Sequence, residues 1–482
     1  MQMIYKKLLH KFFLILLGLA MLLIIPFMSY DPLHLYHKSW FSSEDKLHGN
    51  MRLQAAGIIN NYEFNSMIVG TSMLKGTSER YASEKLGGTF VNISADASNL
   101  YERNLFLKHA LRTKDIKHVI YSFDTGLDAN LKKNNRTLPL DKFNYLYDSN
   151  LFNDFYAYWN NKFLICLLTF SENKECIGGN RGLIRSQKWV DKLYETNRNI
   201  SGIQQWLSQE GRGKNIYPRI KRHLSKPFTE KQYKEKLVLA QHIVDTQLLK
   251  TIQKYPDIEF HIIMPPYSRF IYALWLKYNP KKYKLYQETV KYLVQASQKY
   301  KNMHLYLLDD LNYLDNLGNY RDMRHYNTDM NRMIIDYISE KKYVKSLLEL
   351  EKLFNSINQK NQKYADTKLD EEINTILNTY NFKYHIDETF ETETFSLQGW
   401  VLSYKVSSVE LYRNNKKIQS TNLKKRQDIY AKYPQYKQLR SGFTFKDISL
   451  PSEKDTYKLI FKNKNKVIKT IKLDLKRKKN EK

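Results

Sequence analysis

Ser72 closes the turn Gly70-Thr71-Ser72 directly behind an apolar run, Met67-Ile68-Val69, and far downstream the chain reads Asp322-Met323-Arg324-His325. A serine hydroxyl is a poor nucleophile until a histidine takes its proton and a carboxylate holds that histidine in place. Ser72 as nucleophile, His325 as general base and Asp322 as the orienting carboxylate supply those parts, and the chemistry they would do is acyl transfer through a serine ester. The same residues also have a plainer use, because a serine behind a strand and an aspartate ahead of a helix are both common helix caps. Arg321 and Arg324 flank the histidine and suit either an acidic substrate or an ordinary solvated surface. The other histidines are scattered without metal-ligand spacing, so neither a metal nor a cofactor is expected.

Those three residues need a scaffold that brings them together. Ser66 to Val69 reads as a buried strand, and Thr89 to Ile93 and His118 to Phe123 read as two more, with helices over Ser78 to Leu86 and Glu102 to Leu111 between them. Later, Thr229-Glu230-Lys231-Gln232 has the form of a capping box opening a helix towards Lys254. The strand Glu259 to Met264 stops at Pro265-Pro266-Tyr267-Ser268, a turn that shapes the rim and in which Ser268 is given no chemistry. A helix over Tyr283 to Tyr300, a strand from His304 to Leu308 and a helix from Asn331 to Glu340 complete the pattern. Strands alternating with helices predict an α/β fold with a parallel sheet, and ligands bind beyond the carboxyl ends of such strands. Ser72 and His325 both fall there. The region 129–222 is rich in Asn, Lys and Tyr and reads as an insertion or lid.

The N-terminus bears on compartment. Lys6, Lys7 and Lys11 precede a run from Phe12 to Met28 without a charged residue, and no A-x-A site follows. That length suits an uncleaved signal anchor over 1–30, with a cleaved signal peptide as the alternative. The positive flank would stay in the cytoplasm, leaving everything after Asp31 extracytoplasmic (periplasmic) on a single-pass protein of the cytoplasmic membrane. Cys166 and Cys176 would then meet an oxidising compartment, where either a local disulfide or two free thiols can be drawn. The formal charge of +29 points to anionic surroundings or to solvated lysine-rich surfaces, and no nucleic-acid motif accompanies it.

Taken together, Gly70-Thr71-Ser72 near the start and Asp322-x-x-His325 near the end resemble the first and last blocks of the SGNH (GDSL-type) hydrolase superfamily. Within it, the single anchor and exported domain resemble the D-alanyl transfer protein of teichoic acid synthesis and the alginate acetylation proteins. The resemblance implies a three-layer, flavodoxin-like parallel sheet over 65–345, with Ser72, Asp322 and His325 catalytic. The family's glycine block falls at Asn92-Ile93-Ser94-Ala95-Asp96, with no glycine, and its Gly-x-Asn-Asp block near Tyr121-Ser122-Phe123-Asp124, with no asparagine. Ser94 or main chain is thus expected to supply an oxyanion donor, Asp124 is a site residue by position, and Arg324 a substrate contact.

The rest of the chain divides into a stalk over 31–64, a helical connector over 346–383, a small all-β sandwich over 384–475 and a basic tail over 476–482. Gln398-Gly399-Trp400-Val401, Arg426-Gln427-Asp428, Tyr433-Pro434 and Ser441-Gly442-Phe443 resemble a β-domain appended to bacterial surface-polysaccharide enzymes. Trp400 and Phe443 are expected in its core, and Arg426 with Asp428 as an internal ion pair. The expected activity is O-acetyl transfer to a cell-surface or capsular polysaccharide, with a multi-pass membrane acyltransferase as acyl supplier. An O-acetyl esterase with the same triad, and a non-catalytic glycan-binding or assembly protein on a degenerate scaffold, are the alternatives.

Overall fold

Five short strands carry the molecule's central parallel sheet: β1 (Ser66–Val69), β2 (Phe90–Asn92), β3 (His118–Ser122), β4 (Glu259–Met264) and β5 (Met303–Leu307). They lie side by side in the order β2-β1-β3-β4-β5, every pairing parallel. All four residues of β1 are buried, which alternating side chains achieve only when both faces of the sheet are covered. The computed structural model describes residues 2–40, 46–124, 138–194, 203, 206, 213–380, 382–403, 406–433, 440–452, 455–464, 466–473 and 475. The basic tail 476–482, Pro434 and parts of the 129–222 insertion lie outside the described residues.

The chain's helices include α1 (Gln2–Tyr30), α2 (Met51–Asn61), α3 (Glu79–Leu86), α4 (Leu100–Thr113), α5 (Asn161–Leu168), α6 (Glu230–Val244), α7 (Arg269–Tyr278), α8 (Pro280–Lys299), α9 (Thr328–Ser339) and α10 (Leu347–Thr367). Their starts follow capping chemistry. Ser78 caps α3, Asn99 with Glu102 forms a capping box on α4, and Thr229 with Gln232 forms the one expected on α6. Helix α7 was not foreseen: it begins immediately after the Pro265-Pro266 turn and is buried along most of its length, including Arg269.

Both linking segments pack more closely than their sequences imply. The described residues of 31–64, expected as a stalk, pack into the first unit. Asp31, Leu33 and Leu35 are buried, and the Asp31 carboxylate accepts the backbone N–H groups of Leu35, Tyr36 and His37 and the hydroxyl of Tyr158. Helix α2 packs against this strap so closely that a Cβ on Gly57 would sit 2.1 Å from the Leu33 carbonyl oxygen. The stretch expected as a connector divides in two. Helix α10 belongs to the first unit, where Asn361 accepts from the buried Arg269 guanidinium, while Leu369–Tyr380 leads into the second. Cys166 and Cys176 are joined as a disulfide that ties α5 to the short helix Lys174–Ile177.

The chain forms two compact units, Met1–Gly213 with Arg219–Leu369, and Lys214–Pro218 with Asp370–Lys482. The second holds β6 (Lys383–Phe390), β7 (Thr394–Leu402), β8 (Ser408–Arg413), β9 (Lys416–Asn422), β10 (Lys424–Lys425), β11 (Arg440–Ser449), β12 (Tyr457–Asn463) and β13 (Lys466–Leu473). These make two antiparallel sheets, β9-β8-β12-β13 and β10-β11-β7-β6, around Phe395, Leu397, Val401, Leu411, Phe443 and Phe461. Phe443 is in the core as expected, but Trp400 is not. Alternation along β7 turns Phe395, Leu397, Gly399 and Val401 inward and leaves Trp400 half-buried against the His385 and Tyr433 rings. Arg426 and Asp428 pair through two hydrogen bonds of 2.7 and 2.6 Å.

Candidate active site

The turn after β1 is shaped by what crowds it. A Cβ on Gly70 would lie 2.9 Å from the Leu74 Cβ and 3.0 Å from the Ser122 Oγ, so only glycine fits between strand end and neighbour. The Gly70 carbonyl accepts the Ala95 N–H and the Ser98 hydroxyl, each at 3.0 Å. Thr71 donates its N–H to the Ser122 Oγ at 3.3 Å, and its own hydroxyl oxygen accepts the Met73 N–H at 3.2 Å. Ser72 is thereby held at the carboxyl end of β1, half-exposed. Among the described residues the Ser72 N–H has no hydrogen-bond acceptor. It is a main-chain donor left open beside its own hydroxyl.

The loop after β5 delivers the base. Ser72 Oγ lies 2.8 Å from His325 Nε2, and His325 Nδ1 lies 2.7 Å from Asp322 Oδ2. A carboxylate only accepts, so the pairing assigns the proton to Nδ1 and leaves Nε2 bare towards the serine. The other carboxylate oxygen of Asp322 accepts the N–H groups of Arg324 at 2.9 Å and His325 at 3.1 Å. Burial pushes the Asp322 carboxyl up, but the hydrogen bond and charge of His325 and the two backbone donors outweigh it and hold the group well below the ordinary carboxylate range. Asp322 therefore serves the histidine rather than capping α9, whose N-cap position is Asn327.

Residues far away in sequence clamp this loop. Ser268 donates to the Met323 carbonyl at 2.7 Å, Trp206 donates its indole N–H to the Tyr320 carbonyl at 2.9 Å, and Tyr320 and Tyr326 form a two-residue bridge across the turn. Asn331, buried on α9, donates to the Met73 carbonyl at 2.9 Å and the Thr77 hydroxyl at 3.0 Å, joining the serine turn directly to the helix that follows the histidine loop. Sequence reasoning gave none of these residues a role in the site. Their side chains are ordinary types for loops and helices, and only the fold puts them in reach.

Below the serine lies a buried polar group. Ser122, at the end of β3, accepts N–H groups from Thr71 and from Arg103, which is fully buried on α4. That leaves the Ser122 proton for Asp124, whose carboxyl also hydrogen-bonds the Thr71 side chain. Burial raises the Asp124 pKa above the ordinary value, against the opposing pull of Arg103, of the Thr71 and Ser122 hydrogen bonds and of His325. Asp124 thus sits in the site where the sequence placed it. Ser94 does so only in part. It is fully buried beside the turn, but its N–H is taken by the Asn92 side chain at 3.0 Å, while its hydroxyl lacks a hydrogen-bond partner among the described residues. Arg324 stacks its guanidinium over the Tyr267 ring at 5.2 Å, and its Nε has no hydrogen-bond partner among the described residues. Burial and the like charge of Arg324 lower the pKa of Arg219, so two guanidiniums face this side of Asp322.

β1 and β3 are adjacent while β2 lies on the other side of β1, so the chain reverses direction across the sheet between Ser72 and Asp124. That is the crevice where doubly wound sheets bind ligands. No protein-family model matches the chain, and no curated protein matches it in sequence. Function must accordingly be argued from the residues themselves.

Proposed function

We propose that this chain is an exported, membrane-anchored serine acyltransferase of SGNH type that moves an acyl group, in the first instance acetyl, onto a hydroxyl of a cell-surface polysaccharide. The observation that carries the proposal is the continuous Ser72–His325–Asp322 hydrogen-bond chain at the sheet's reversal point. In the first half-reaction His325 Nε2 takes the Ser72 proton as Oγ attacks the acyl carbonyl. The Ser72 N–H lies beside the oxygen that becomes negative, a contribution of about 3 kcal/mol for one such donor. Asp322 balances the imidazolium. The leaving group departs with the proton from Nε2, and the acyl group stays on Ser72. In the second half-reaction His325 removes a proton from a sugar hydroxyl, which attacks the ester and regenerates the serine. The absence of a glycine donor supports a smaller oxyanion site than the family's, built from the Ser72 N–H with the Ser94 hydroxyl as neighbour.

The export and anchor part rests on α1, which from Tyr5 to Tyr30 is long and apolar enough to cross a membrane. Phe27, Tyr30 and Asp31 are buried in the folded domain, so cleavage beyond the apolar run would remove core residues, which favours an uncleaved anchor over a signal peptide. A membrane-bound acyl supplier fits a catalyst held at the same surface.

The test is to incubate the protein with an acetyl donor ester and identify the modified residue by mass spectrometry. An acetyl group on Ser72, absent in Ser72→Ala, together with loss of polysaccharide O-acetylation in cells carrying Ser72→Ala, is the expected result. An unmodified Ser72 with full O-acetylation in that variant would sink the proposal. Faster release of acetate to water than transfer to added polysaccharide would make the same triad an esterase.

A further inference from the structure

We infer that residues 151–170 form an apolar face that lies in the lipid headgroup and upper acyl region of the bilayer, around the point where α1 leaves it. The chain is 26% charged, yet this stretch carries two charged residues, Asp154 and Lys162. Asp154 is buried. Large apolar side chains stand outward instead: Phe152 is 94% exposed and Leu168 79%, with Tyr156, Trp159, Ile165 and Phe170 all more than half exposed. A soluble surface rarely keeps so many together, because each buries well elsewhere and together they form a patch that water solvates poorly. On α5 the pattern is a helix face: Phe163, Cys166 and Leu167 are buried while Ile165 and Leu168 point out.

What covers the patch follows from continuity with the membrane span. Phe27, near the end of α1, packs edge-on to Phe155 at 5.1 Å and stacks on Tyr158 at 5.7 Å, and Phe155 passes the contact on to Trp159 at 5.7 Å. Tyr30 meets the Phe170 ring at 5.8 Å and donates its hydroxyl to the Ser171 carbonyl. The end of α1 is therefore joined to the patch through packed aromatic rings. Tyrosine and tryptophan are the residues that settle at the headgroup level, with ring in the apolar zone and polar tip in water. The Cys166–Cys176 disulfide holds the patch's helix in place at its base. Such a face would fix the unit against the membrane rather than leave it swinging on a tether.

The inference rests on α1 being a retained anchor, and the experiment separates the two. The full chain is placed in phosphatidylcholine nanodiscs containing lipid brominated near the headgroup end of its acyl chains. Bromolipid should quench part of the tryptophan emission, and Trp159→Phe should remove a share of that quenched component. Quenching identical in wild type and Trp159→Phe overturns the inference. Extraction of native membranes with alkaline carbonate reports on the anchor: release of the chain means the anchor itself fails and takes the patch with it. Retention without Trp159 quenching defeats the patch alone. In native membranes, Phe152→p-benzoylphenylalanine should give lipid adducts on irradiation, and a discrete protein adduct would hand this face to a protein partner.

Discussion

At the scale of single residues, Asp322 does two jobs that can be pulled apart. It fixes the imidazole through Nδ1 and it gathers two loop N–H groups on its other oxygen. Asp322→Asn keeps an acceptor for the loop but can present an amide N–H to Nδ1, which turns the bare nitrogen away from Ser72. Acyl-Ser72 formation should fall by roughly 10⁴-fold, the size of a tautomer error in such triads, with little change in fold. A loss under tenfold would mean Asp322 is structural. The same residue predicts an acid limb in stability. Its native pKa lies below the unfolded value, so its contribution is present above about pH 4 and fades as pH falls through the native value. Urea unfolding of Asp322→Asn at pH 3 and pH 6 should therefore show a smaller difference than wild type. Asp124 is a separate case because it shares its burial with Arg103. Asp124→Leu leaves that guanidinium without its carboxylate and should destabilise by about 3–5 kcal/mol. Asp124→Asn keeps the hydrogen bonds with Thr71 and Ser122, so it should cost less and retain measurable acyl-enzyme formation. Equal loss in both variants would show that the charge, not the hydrogen-bonding shape, is what the site uses.

At the scale of elements, the sheet was legible because each of its strands is a short apolar run closed by Gly, Pro or a polar turn, and the triad was legible because Asp322 and His325 are near neighbours. What sequence hid acts across distance. Arg103 looks like a surface residue of α4, yet it lies fully buried and donates to the Ser122 carbonyl. Helix α7 was hidden because it buries nearly every side, so no polar face marks it, and the strap over 31–38 because a buried Asp31 reads as polar linker. A histidine stack across three strands was equally invisible. His118 opens β3, and His261 and His304 pair directly across β4 and β5; the ring of His261 lies 5.6 Å from that of His118 and 5.9 Å from that of His304. Burial, with added repulsion from His118 and His304, pulls His261 down to about 3. The native imidazole is therefore neutral where the unfolded one, near about 6.5, would charge. Stability from this position is full above that value and is lost as pH falls, by about 2 kcal/mol at pH 5. His261→Gln should flatten the fall in unfolding free energy between pH 7 and pH 5 by that order, and an unchanged slope would remove the stack from the account.

For the whole molecule, the question is where the apolar helix α1 ends and the folded protein begins, because they overlap. Phe27 is 1% exposed and Asp31 fully buried, so the last turn of α1 belongs to the core of the first unit. Leu33 and Leu35 continue that packing, and the Asp31 carboxylate satisfies three backbone donors that would otherwise be stranded. Deleting residues 1–26 removes exposed apolar helix and nothing from the core. Such a protein should fold, dissolve more readily and still form acyl-Ser72. Deleting residues 1–38 takes away four large buried apolar side chains, Phe27, Tyr30, Leu33 and Leu35, and the carboxylate. At about 2–5 kcal/mol for each large apolar deletion, the four together cost about 8–20 kcal/mol, as much as or more than the 5–15 kcal/mol by which folded domains are usually stable. That protein should unfold at or below room temperature and lose serine reactivity, although every triad residue is still present. Thermal unfolding monitored by near-ultraviolet circular dichroism, alongside labelling of Ser72 by a fluorophosphonate, measures both. If the two truncations melt together, residues 27–38 are a tether and no part of the folded unit.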